Sequence, residues 1–457
     1  MSLGELRRIL GPATGVAVCC GMAIGAGILR TPGEVAKALP DGTWILAVWC
    51  LGGLVAALDA FILAEMAAMV PRVGGLVAYV RLSFGRAVAF LVGWSMLLLT
   101  WPASLAMVAV AIGELLTGGA EAMGSGDSTG VVRGVAAGVI AVIGGLNLIG
   151  LRFGARFEIV LFVLKVTLLA GICIAAAIAA PARSEAVAST VFPATPATLF
   201  AALGGAMLAI VWTYDGYADA VYLAGETRDP GRSLPRALLT ALVTITGLYL
   251  LANTTFLYVL GVEGLAHSKF AALDVSRRAF GDAGGTVLTV IAVVVLFGAV
   301  NGYFLTGPRI GRLLAEEGLA LSAFGQVRET GAPVLGTCWM IVVSIAFALT
   351  NSFNELLEIT VPVMAATTIL VAMGLLVQRV RAPERARPFR VRWAGVVVGM
   401  QVALGIGLLG SFVAANIRPQ ESEDWKFPTA LAIDAAGVLV GLLVYFVMQR
   451  RRTAPPL

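Results

Sequence analysis

About twelve long apolar runs dominate the sequence and restrict it to architectures that cross a membrane. A helix needs about 20 apolar residues to span the hydrocarbon core of a bilayer, and each run comes close to that length. Of the 457 residues, 59% are hydrophobic and 13% charged, and the mean hydropathy is +0.92. This composition excludes a soluble globular protein. The predicted spans lie near 13–39, 44–70, 85–117, 131–149, 155–180, 198–223, 237–260, 284–313, 335–351, 355–378, 394–416 and 428–450.

The basic residues predict how these spans are oriented. With the N-terminus in the cytoplasm, 22 of the 32 lysines and arginines fall on the inner side, 9 on the outer side, and Lys165 inside a span. Since cytoplasmic loops are enriched in lysine and arginine, we expect both termini in the cytoplasm and a multi-pass protein of the inner (plasma) membrane, surrounded by the lipid bilayer. The net charge of +5 then reflects topology, and no nucleic-acid partner is expected.

The cysteines and the histidine argue against several kinds of site. A disulfide framework is not expected, because all five cysteines lie inside apolar runs. The single histidine, His267, cannot supply a metal-ligand cluster. A membrane-embedded enzyme would need a catalytic cluster, so we expect no enzyme, no metal and no cofactor. The cysteines are Cys19, Cys20, Cys50, Cys173 and Cys338.

The first span is interrupted near its middle. Gly21, Gly25 and Gly27 weaken a helix there, and Pro32 removes a backbone donor. A broken helix is tolerated in a membrane where it is buried or lines a cavity. The free amides at the start of its outer half, those of Ala26 and Gly27, would suit a carboxylate. Close packing of the glycines against another helix is the alternative.

Span 6 contains a second interruption. Asp215, Gly216 and Asp219 lie inside an apolar stretch, and an acidic side chain at membrane depth predicts a functional role. Interruptions at corresponding positions of two halves indicate the central site of a transporter. Free carbonyls between Trp212 and Asp215 would accept hydrogen bonds from an amino group. The two breaks together would therefore bind the zwitterionic backbone of an amino acid.

The side chains around the second break leave several roles open. Trp212, Tyr214 and Tyr217 could close over a bound molecule, with Trp212 and Tyr217 as gate residues, and ordinary helix packing is the alternative. Asp215 and Asp219 could cap the broken helix, accept a ligand amine or carry a proton, and capping is the favoured interpretation.

Lys165 is the most unusual single residue, since it lies about ten residues from either end of span 5. It could be a fixed internal cation bonded to carbonyls that the span 1 break frees, or a titrating proton carrier, and the fixed cation is favoured. Between Thr289 and Thr306, span 8 has no serine or threonine. Because sodium prefers hard oxygen ligands, this argues against a sodium site there, although backbone carbonyls and Asn301 stay available.

Charged residues also lie at the predicted cytoplasmic ends of several spans. They would anchor loops, and a cytoplasmic gate network is the alternative. These residues are Glu65, Arg72, Glu226, Arg309 and Arg312.

Short motifs follow one another along spans 1 to 8. They are Ile24-Gly-Ala-Gly-Ile-Leu29; Ala64-Glu65 with Pro71, Gly74-Gly75 and Tyr79; Trp94 with Pro102-Ala-Ser104; Asn147, Gly150, Arg156 and Lys165; Tyr214-Asp-Gly-Tyr217 with Glu226, Asp229-Pro230, Arg232 and Pro235-Arg236; and Asn301-Gly302 with Arg309. Together they resemble the amino acid–polyamine–organocation superfamily of transporters, most closely its L-type amino acid transporter-like branch.

The resemblance implies an all-α fold of five-plus-five inverted repeats with broken helices 1 and 6. The first repeat would occupy 1–180 and the second 181–378, with spans 11 and 12 and the C-terminus in 379–457. It also implies alternating access, in which a bundle of spans 1, 2, 6 and 7 rocks against a scaffold.

The resemblance also implies roles for individual residues. The carboxylate would meet the amides of Ala26 and Gly27, beside Ile24 and Gly25. The amine would meet the carbonyls of Ala23, Trp212 and Asp215, next to Gly216. Lys165 would take the place of a sodium ion that fold relatives use.

Two departures from the family pattern concern the substrate. Gly216-Tyr217 stands where Gly-Trp is usual, and Asp215 stands where a small residue is common. Animal members bond a heavy subunit through a cysteine between spans 3 and 4. The segment from Thr117 to Val131 contains none, so no disulfide-linked heavy subunit is expected. The sequence does not predict an oligomeric state.

These observations predict a sodium-independent secondary transporter of neutral L-amino acids, acting as an exchanger or as a proton-coupled importer. A cationic amino acid or polyamine transporter of the same fold is the nearest alternative. A channel is disfavoured by the paired breaks. A receptor that binds amino acids without transporting them is the alternative from a different class.

Overall fold

The computed structural model describes residues 12–39, 41–70, 74–117, 128–149, 154–179, 196–326, 333–416 and 429–453. Their regular structure is helical. The α-helices are α1 (Pro12–Ala23), α2 (Ala26–Ala38), α3 (Gly42–Met69), α4 (Gly75–Phe84), α5 (Arg86–Ser95), α6 (Trp101–Leu116), α7 (Ser128–Ile149), α8 (Gly154–Ala179), α9 (Pro196–Tyr214), α10 (Pro230–Ala266), α11 (Ala271–Glu316), α12 (Val334–Thr350), α13 (Phe353–Arg381), α14 (Ala394–Asn416) and α15 (Thr429–Thr453).

The predicted all-α polytopic class is confirmed. Within the described residues, eight helices are long and apolar enough to cross a membrane, and α1 and α2 qualify together as one span bent by 41°. Shorter apolar helices stand at the positions of predicted spans 6, 9 and 12, which are α9, α12 and α15. The sequence analysis did not anticipate α4, a short helix between spans 2 and 3.

Span 3 is continuous but irregular. A π-helical turn over Met96–Thr100 joins α5 to α6, immediately before Pro102. Proline has no amide proton, so the helix cannot keep its regular ladder at this point. The Leu97 carbonyl accepts a hydrogen bond from Trp339 Nε1 at 3.1 Å instead.

The core of the molecule surrounds α6, which is almost wholly buried. α3 packs along α10, α1 packs against α10 and α8, and α2 packs against α9. α8 and α14 leave most of their surface uncovered, as expected for helices that face lipid.

Ion pairs mark the two ends of the bundle. At one end, Arg30 pairs with Glu34 and with Glu114, the latter at 3.3 Å. At the other end, the fully buried carboxylate of Glu65 accepts two hydrogen bonds from Arg379, at 3.0 and 2.6 Å, and one from the Val391 amide. We name these the Arg30 end and the Glu65 end.

The Glu65 contacts join the end of α3 to the segment between α13 and α14, since Arg387 also lies 3.6 Å from the same carboxylate. Of the other charged residues near predicted span ends, Arg312 pairs with Glu316 at 2.6 Å and Arg309 bonds the Leu305 carbonyl. Arg72 and the Glu226 side chain lie outside the described residues.

Candidate functional site

The break in span 1 separates two helices by Ile24 and Gly25. α1 ends at Ala23 and α2 begins at Ala26, with Gly25 at φ −149° and ψ −138° in neither a helical nor an extended conformation. No side chain caps the start of α2. The first amides of a helix have no acceptor inside it. Ala26 is 2% exposed, so this end has little access to solvent.

Side chains from other helices bind the carbonyls that α1 leaves unpaired. Lys165 lies on α8 and is 2% exposed. Its Nζ donates a hydrogen bond to the Gly21 carbonyl at 2.6 Å. The Tyr249 hydroxyl of α10 lies 2.7 Å from the Ala23 carbonyl. The Cys20 carbonyl accepts from the Ile24 amide at 2.8 Å, which completes the last helical turn.

The break in span 6 is built by glycine. α9 ends at Tyr214, Gly216 adopts the left-handed conformation at φ +102°, and a 3₁₀ helix continues over Tyr217–Glu226. A side chain at Gly216 would clash with span 1, because an added Cβ would lie 2.7 Å from the Ala23 amide nitrogen. The two breaks are therefore in direct contact, as a shared site requires.

Tyr249 connects the two breaks. Its hydroxyl lies 2.7 Å from the Ala23 carbonyl in span 1 and 2.9 Å from the Thr213 carbonyl in span 6. A hydroxyl carries one proton, so the two carbonyls share a single donor. Tyr249 is fully buried, and its ring packs edge-on against Trp49 and Tyr214.

Two of the three carbonyls predicted to meet an amine already have partners. Ala23 is bonded by Tyr249, and the Trp212 carbonyl accepts from the Asp215 amide at 3.1 Å. Each carbonyl oxygen has a second lone pair, so neither contact prevents a further bond to a ligand.

Gly27 has a packing role. A Cβ added there would lie 2.7 to 2.9 Å from three atoms of Thr213, so Gly27 lets α2 approach α9. Thr213 Oγ1 donates to Thr31 Oγ1 at 2.9 Å across the same contact. At Gly25 the nearest atom would be 3.6 Å away, so packing does not require a glycine there.

Trp212 belongs to a group of side chains that extends to the Arg30 end. Its ring meets Phe353 edge-on with centroids 5.4 Å apart, and the Arg30 guanidinium lies 5.2 Å from the centre of the Phe353 ring. Trp212 Nε1 donates to Ser104 Oγ at 3.4 Å. These contacts connect Trp212 to the Arg30 end, and its role as a gate residue stays a prediction.

Tyr214 and Tyr217 face a different part of the bundle. The Tyr214 hydroxyl donates to the Trp49 carbonyl of α3 at 3.0 Å. The Tyr217 hydroxyl donates to Asp59 Oδ2, also in α3, at 2.6 Å. Tyr214 and Tyr217 therefore contact α3, whereas Trp212 contacts Phe353 and Ser104.

Two small cavities adjoin the breaks. One, of about 40 Å³, lies on the Glu65 side of the span 6 break and is lined by Asp215, Asp219, Ser104 and three aromatic rings. The other, of about 30 Å³, is lined by Gly25 and Lys165. A water molecule takes about 30 Å³ of liquid, so neither cavity can hold an amino acid without movement of the surrounding helices.

Span 8 has no serine or threonine between Thr289 and Thr306, and it carries the amide side chain of Asn301 in that stretch. Asn301 Oδ1 accepts a hydrogen bond from Asn147 Nδ2 of α7 at 3.0 Å. No group of three histidine, cysteine or acidic side chains able to hold a metal ion occurs in the described part of the chain.

The sequence analysis missed two residues of this region. Tyr249 gave no signal, because a tyrosine in an apolar helix is ordinary. Asp59 did give one: it is an acidic residue inside span 2, where a charge is costly, and it should have been treated in the same way as Asp215. Asp59 is 7% exposed.

The fold and these contacts define a class, a polytopic helical membrane protein with two broken spans joined at its centre. The chain belongs to the amino acid permease family, whose family model matches residues 10–443.

Named relatives align along nearly the whole chain. The serine/threonine exchanger SteT of Bacillus subtilis (strain 168) is 24% identical over 98% of this chain and 98% of its own. The b(0,+)-type amino acid transporter 1 of Mus musculus is 26% identical over 97% of this chain and 88% of its own. The Asc-type amino acid transporter 1 of Mus musculus is 25% identical over 98% and 83%.

Proposed function

We propose that the protein transports amino acids across the membrane by alternating access, without sodium, as an exchanger or with a proton. The named relatives, which are transporters and exchangers, support amino acid transport and give no support to an enzyme.

The observation that carries the proposal is the contact between the two breaks. The uncapped, buried start of α2 offers amides to a carboxylate, and the Ala23 carbonyl next to it offers an acceptor to an amine. Buried helix ends require partners, and a ligand is one that would satisfy them. Ala26 and Gly27 would therefore hold the part that all amino acids share.

The coupling role falls to Lys165. A buried ammonium bonded to the Gly21 carbonyl supplies a permanent positive charge at the broken end of α1. Sodium would be redundant beside it, and the absence of hydroxyls between Thr289 and Thr306 supports the same conclusion.

The domain organisation is part of the proposal. The repeats would cover 1–180 and 181–378, followed by spans 11 and 12 in 379–457, and spans 1, 2, 6 and 7 would move together. Charge asymmetry supports a cytoplasmic Glu65 end, cytoplasmic termini and a location in the inner (plasma) membrane. The segment from Thr117 to Val131, where animal members carry the cysteine that bonds a heavy subunit, contains no cysteine. Its residues 118–127 lie outside the described residues. We therefore also propose that the protein works without a disulfide-linked heavy subunit.

Neutral L-amino acids are the proposed substrates, and cationic ones are a second candidate. Asp215 and Asp219 both line the cavity of about 40 Å³, next to the span 6 break. A basic substrate side chain that reached this cavity would meet two carboxyl groups, which is the specific reason to keep the second candidate.

Exchange in proteoliposomes tests the proposal. Purified protein is reconstituted with or without unlabelled amino acid inside, and uptake of labelled serine, leucine and lysine is followed in sodium and in choline buffers. We expect faster uptake when amino acid is inside and equal rates in the two buffers. An imposed proton gradient, applied to empty vesicles, separates proton-coupled import from exchange.

Each result has a clear meaning. Uptake that depends on a sodium gradient would overturn the role of Lys165. A preference for lysine over leucine would select the cationic alternative. Thermal stabilisation by amino acids without any uptake would identify a receptor instead of a transporter.

A further inference from the structure

A cavity lies beside the span 6 break, on the side away from span 1. Its volume is about 270 Å³, and it lies among α3, α9, α13 and α14. None of its lining residues comes from α1 or α2, which hold the span 1 break. Phe200 and Ala403 line it and are exposed, and Phe200 is 49% exposed. Because exposed apolar side chains within spans face lipid, the cavity opens toward the bilayer.

The wall of this cavity is mostly apolar, and its polar lining residues are Asp59, Tyr214, Asp215, Tyr217, Thr368 and Ser411. Tyr217 donates its hydroxyl proton to Asp59 Oδ2 at 2.6 Å, while Asp59 Oδ1 has no hydrogen-bond partner among the described residues. Asp59 is more than nine-tenths buried. An unpaired carboxylate oxygen in such a place is costly. Oδ1 itself has almost no accessible surface, so a donor in the cavity reaches it only when the Asp59 side chain turns toward the cavity.

The charges around the cavity restrict the kind of molecule. Asp59 and Asp215 line it, and no lysine or arginine is among its described lining residues. An anion would be repelled by these carboxyl groups. A plain hydrocarbon would fill the volume and leave Oδ1 without a donor. A protonated amine supplies both charge and hydrogen-bond donors, and an apolar body attached to it would fit the remaining wall.

We propose that this cavity binds a small cationic amphiphile, an ammonium group on an apolar body, with the ammonium on Asp59 and the body between α9 and α14. At about 30 Å³ for each heavy atom, as in liquid water, the volume accommodates roughly nine such atoms. Octylamine, with eight carbons and one nitrogen, is the matching probe.

A bound molecule would connect parts that must separate during transport. α3 and α9 belong to spans 2 and 6 of the proposed moving bundle, whereas α14 is span 11, outside the repeats. Occupancy would therefore slow transport by acting on span 6 at Tyr214 and Asp215, while the amides of Ala26 and Gly27 stay open to the carboxylate. This effect rests on the proposed function, whereas the binding does not.

Thermal unfolding of the purified protein tests the binding. Octylamine is compared with octan-1-ol and octanoate, which have the same chain length and carry no charge or a negative one. We expect octylamine to raise the melting temperature in a saturable way, octan-1-ol to raise it less through its neutral hydroxyl donor, and octanoate to leave it unchanged. An equal shift with octan-1-ol would mean that the cavity does not select a positive charge, and would overturn the proposal.

Variants locate the site. Asp59→Asn should weaken octylamine binding about tenfold or more, since it removes the charge that the ammonium meets. Leu404→Trp fills the cavity from α14 and leaves Asp59 unchanged. It should abolish the rise in melting temperature that octylamine causes. Ile406→Trp, on the same helix at an exposed residue outside the lining, is the matched control and should retain it. A full shift in Leu404→Trp would overturn the proposal even if Asp59→Asn did not fold.

Transport measurements test the consequence separately. Octylamine should lower the maximal rate of amino acid exchange and leave KM unchanged in the wild type, but not in Leu404→Trp. Competitive inhibition would place the amine in the amino acid site instead and overturn the assignment to this cavity. If no amino acid is transported, the proposed function fails, while the melting curves still decide the binding.

Discussion

The two broken spans are interrupted in different ways. In span 1 the chain passes from α1 to α2 through Ile24 and Gly25, and side chains from α8 and α10 bind carbonyls that α1 leaves unpaired. In span 6 the turn at Gly216 is left-handed, and the Asp215 amide bonds back to the Val211 and Trp212 carbonyls. Both breaks share the Tyr249 hydroxyl, but the first also depends on Lys165 of α8, whereas the second has additional bonds within its own backbone.

The difference indicates that the two breaks have different roles in substrate binding. A break supported by distant side chains keeps its helix ends available and depends on the helices that supply the support. A break closed by local bonds offers fewer free backbone groups and presents side chains instead, here Trp212, Asp215 and Tyr217. We therefore expect span 1 to recognise the amino acid backbone and span 6 to contribute to selectivity.

The largest effect is expected at the span 6 turn. Gly216→Ala forces a side chain into the left-handed region and against the Ala23 amide 2.7 Å away, which should cost about 3 kcal/mol of stability and abolish uptake. Melting temperature and uptake are measured together. Gly205→Ala, on α9 with open space around it, is the control and should leave both near wild type. A well-folded Gly216→Ala protein would contradict the close contact of the two breaks.

The next effect concerns the external support of span 1. Lys165→Met keeps the length of the side chain and removes its charge, which leaves the Gly21 carbonyl without the ammonium 2.6 Å away. We expect transport to fall roughly tenfold or more. The pH profile of the remaining uptake should match the wild type, because a fixed cation does not titrate. A changed profile would favour the proton-carrier alternative.

Loss of the bridge between the breaks should have a smaller effect. Tyr249→Phe keeps the ring and removes the hydroxyl shared by the Ala23 and Thr213 carbonyls, at a cost of about 1 kcal/mol in stability. Uptake should fall several-fold. Tyr258→Phe, a half-exposed position on the same helix, is the matched control. Unchanged transport in Tyr249→Phe would mean that the two breaks are positioned independently.

The smallest effect on stability is expected at Gly25. An added Cβ would lie 3.6 Å from the Ala299 Cβ, an ordinary contact, so Gly25→Ala should change stability by about 0.5 kcal/mol or less. If the amides beside it bind substrate, KM should rise while the melting temperature holds. A variant with normal KM would show that the ligand does not approach this part of the break.

The spans and the breaks were predictable because they depend on properties that the sequence displays directly. A bilayer requires a run of apolar residues for each crossing, and Gly25, Gly216 and Asp215 interrupt such runs visibly. Lys165 was noticeable for the same reason, as a charge where charges are costly.

The contacts between helices were not predictable in this way. Gly27 was assigned to ligand approach, and the structure gives it a packing role against Thr213 that sequence spacing cannot reveal. Tyr249 lies 226 residues from the carbonyl it bonds. The directions of Tyr214 and Tyr217, toward α3, depend on how α9 and the 3₁₀ helix after it pack against their neighbours. Asp59 was visible as a buried charge, but its pairing with Tyr217 was not.

The ion pair at the Glu65 end imposes a mechanical condition. Glu65 stands at the end of α3 and holds Arg379, Arg387 and the Val391 amide at once. Any tilting of α3 that keeps these bonds must therefore pivot about Glu65. Displacement of α3 then grows with distance from Glu65, so the Gly42 end of the helix would travel farthest.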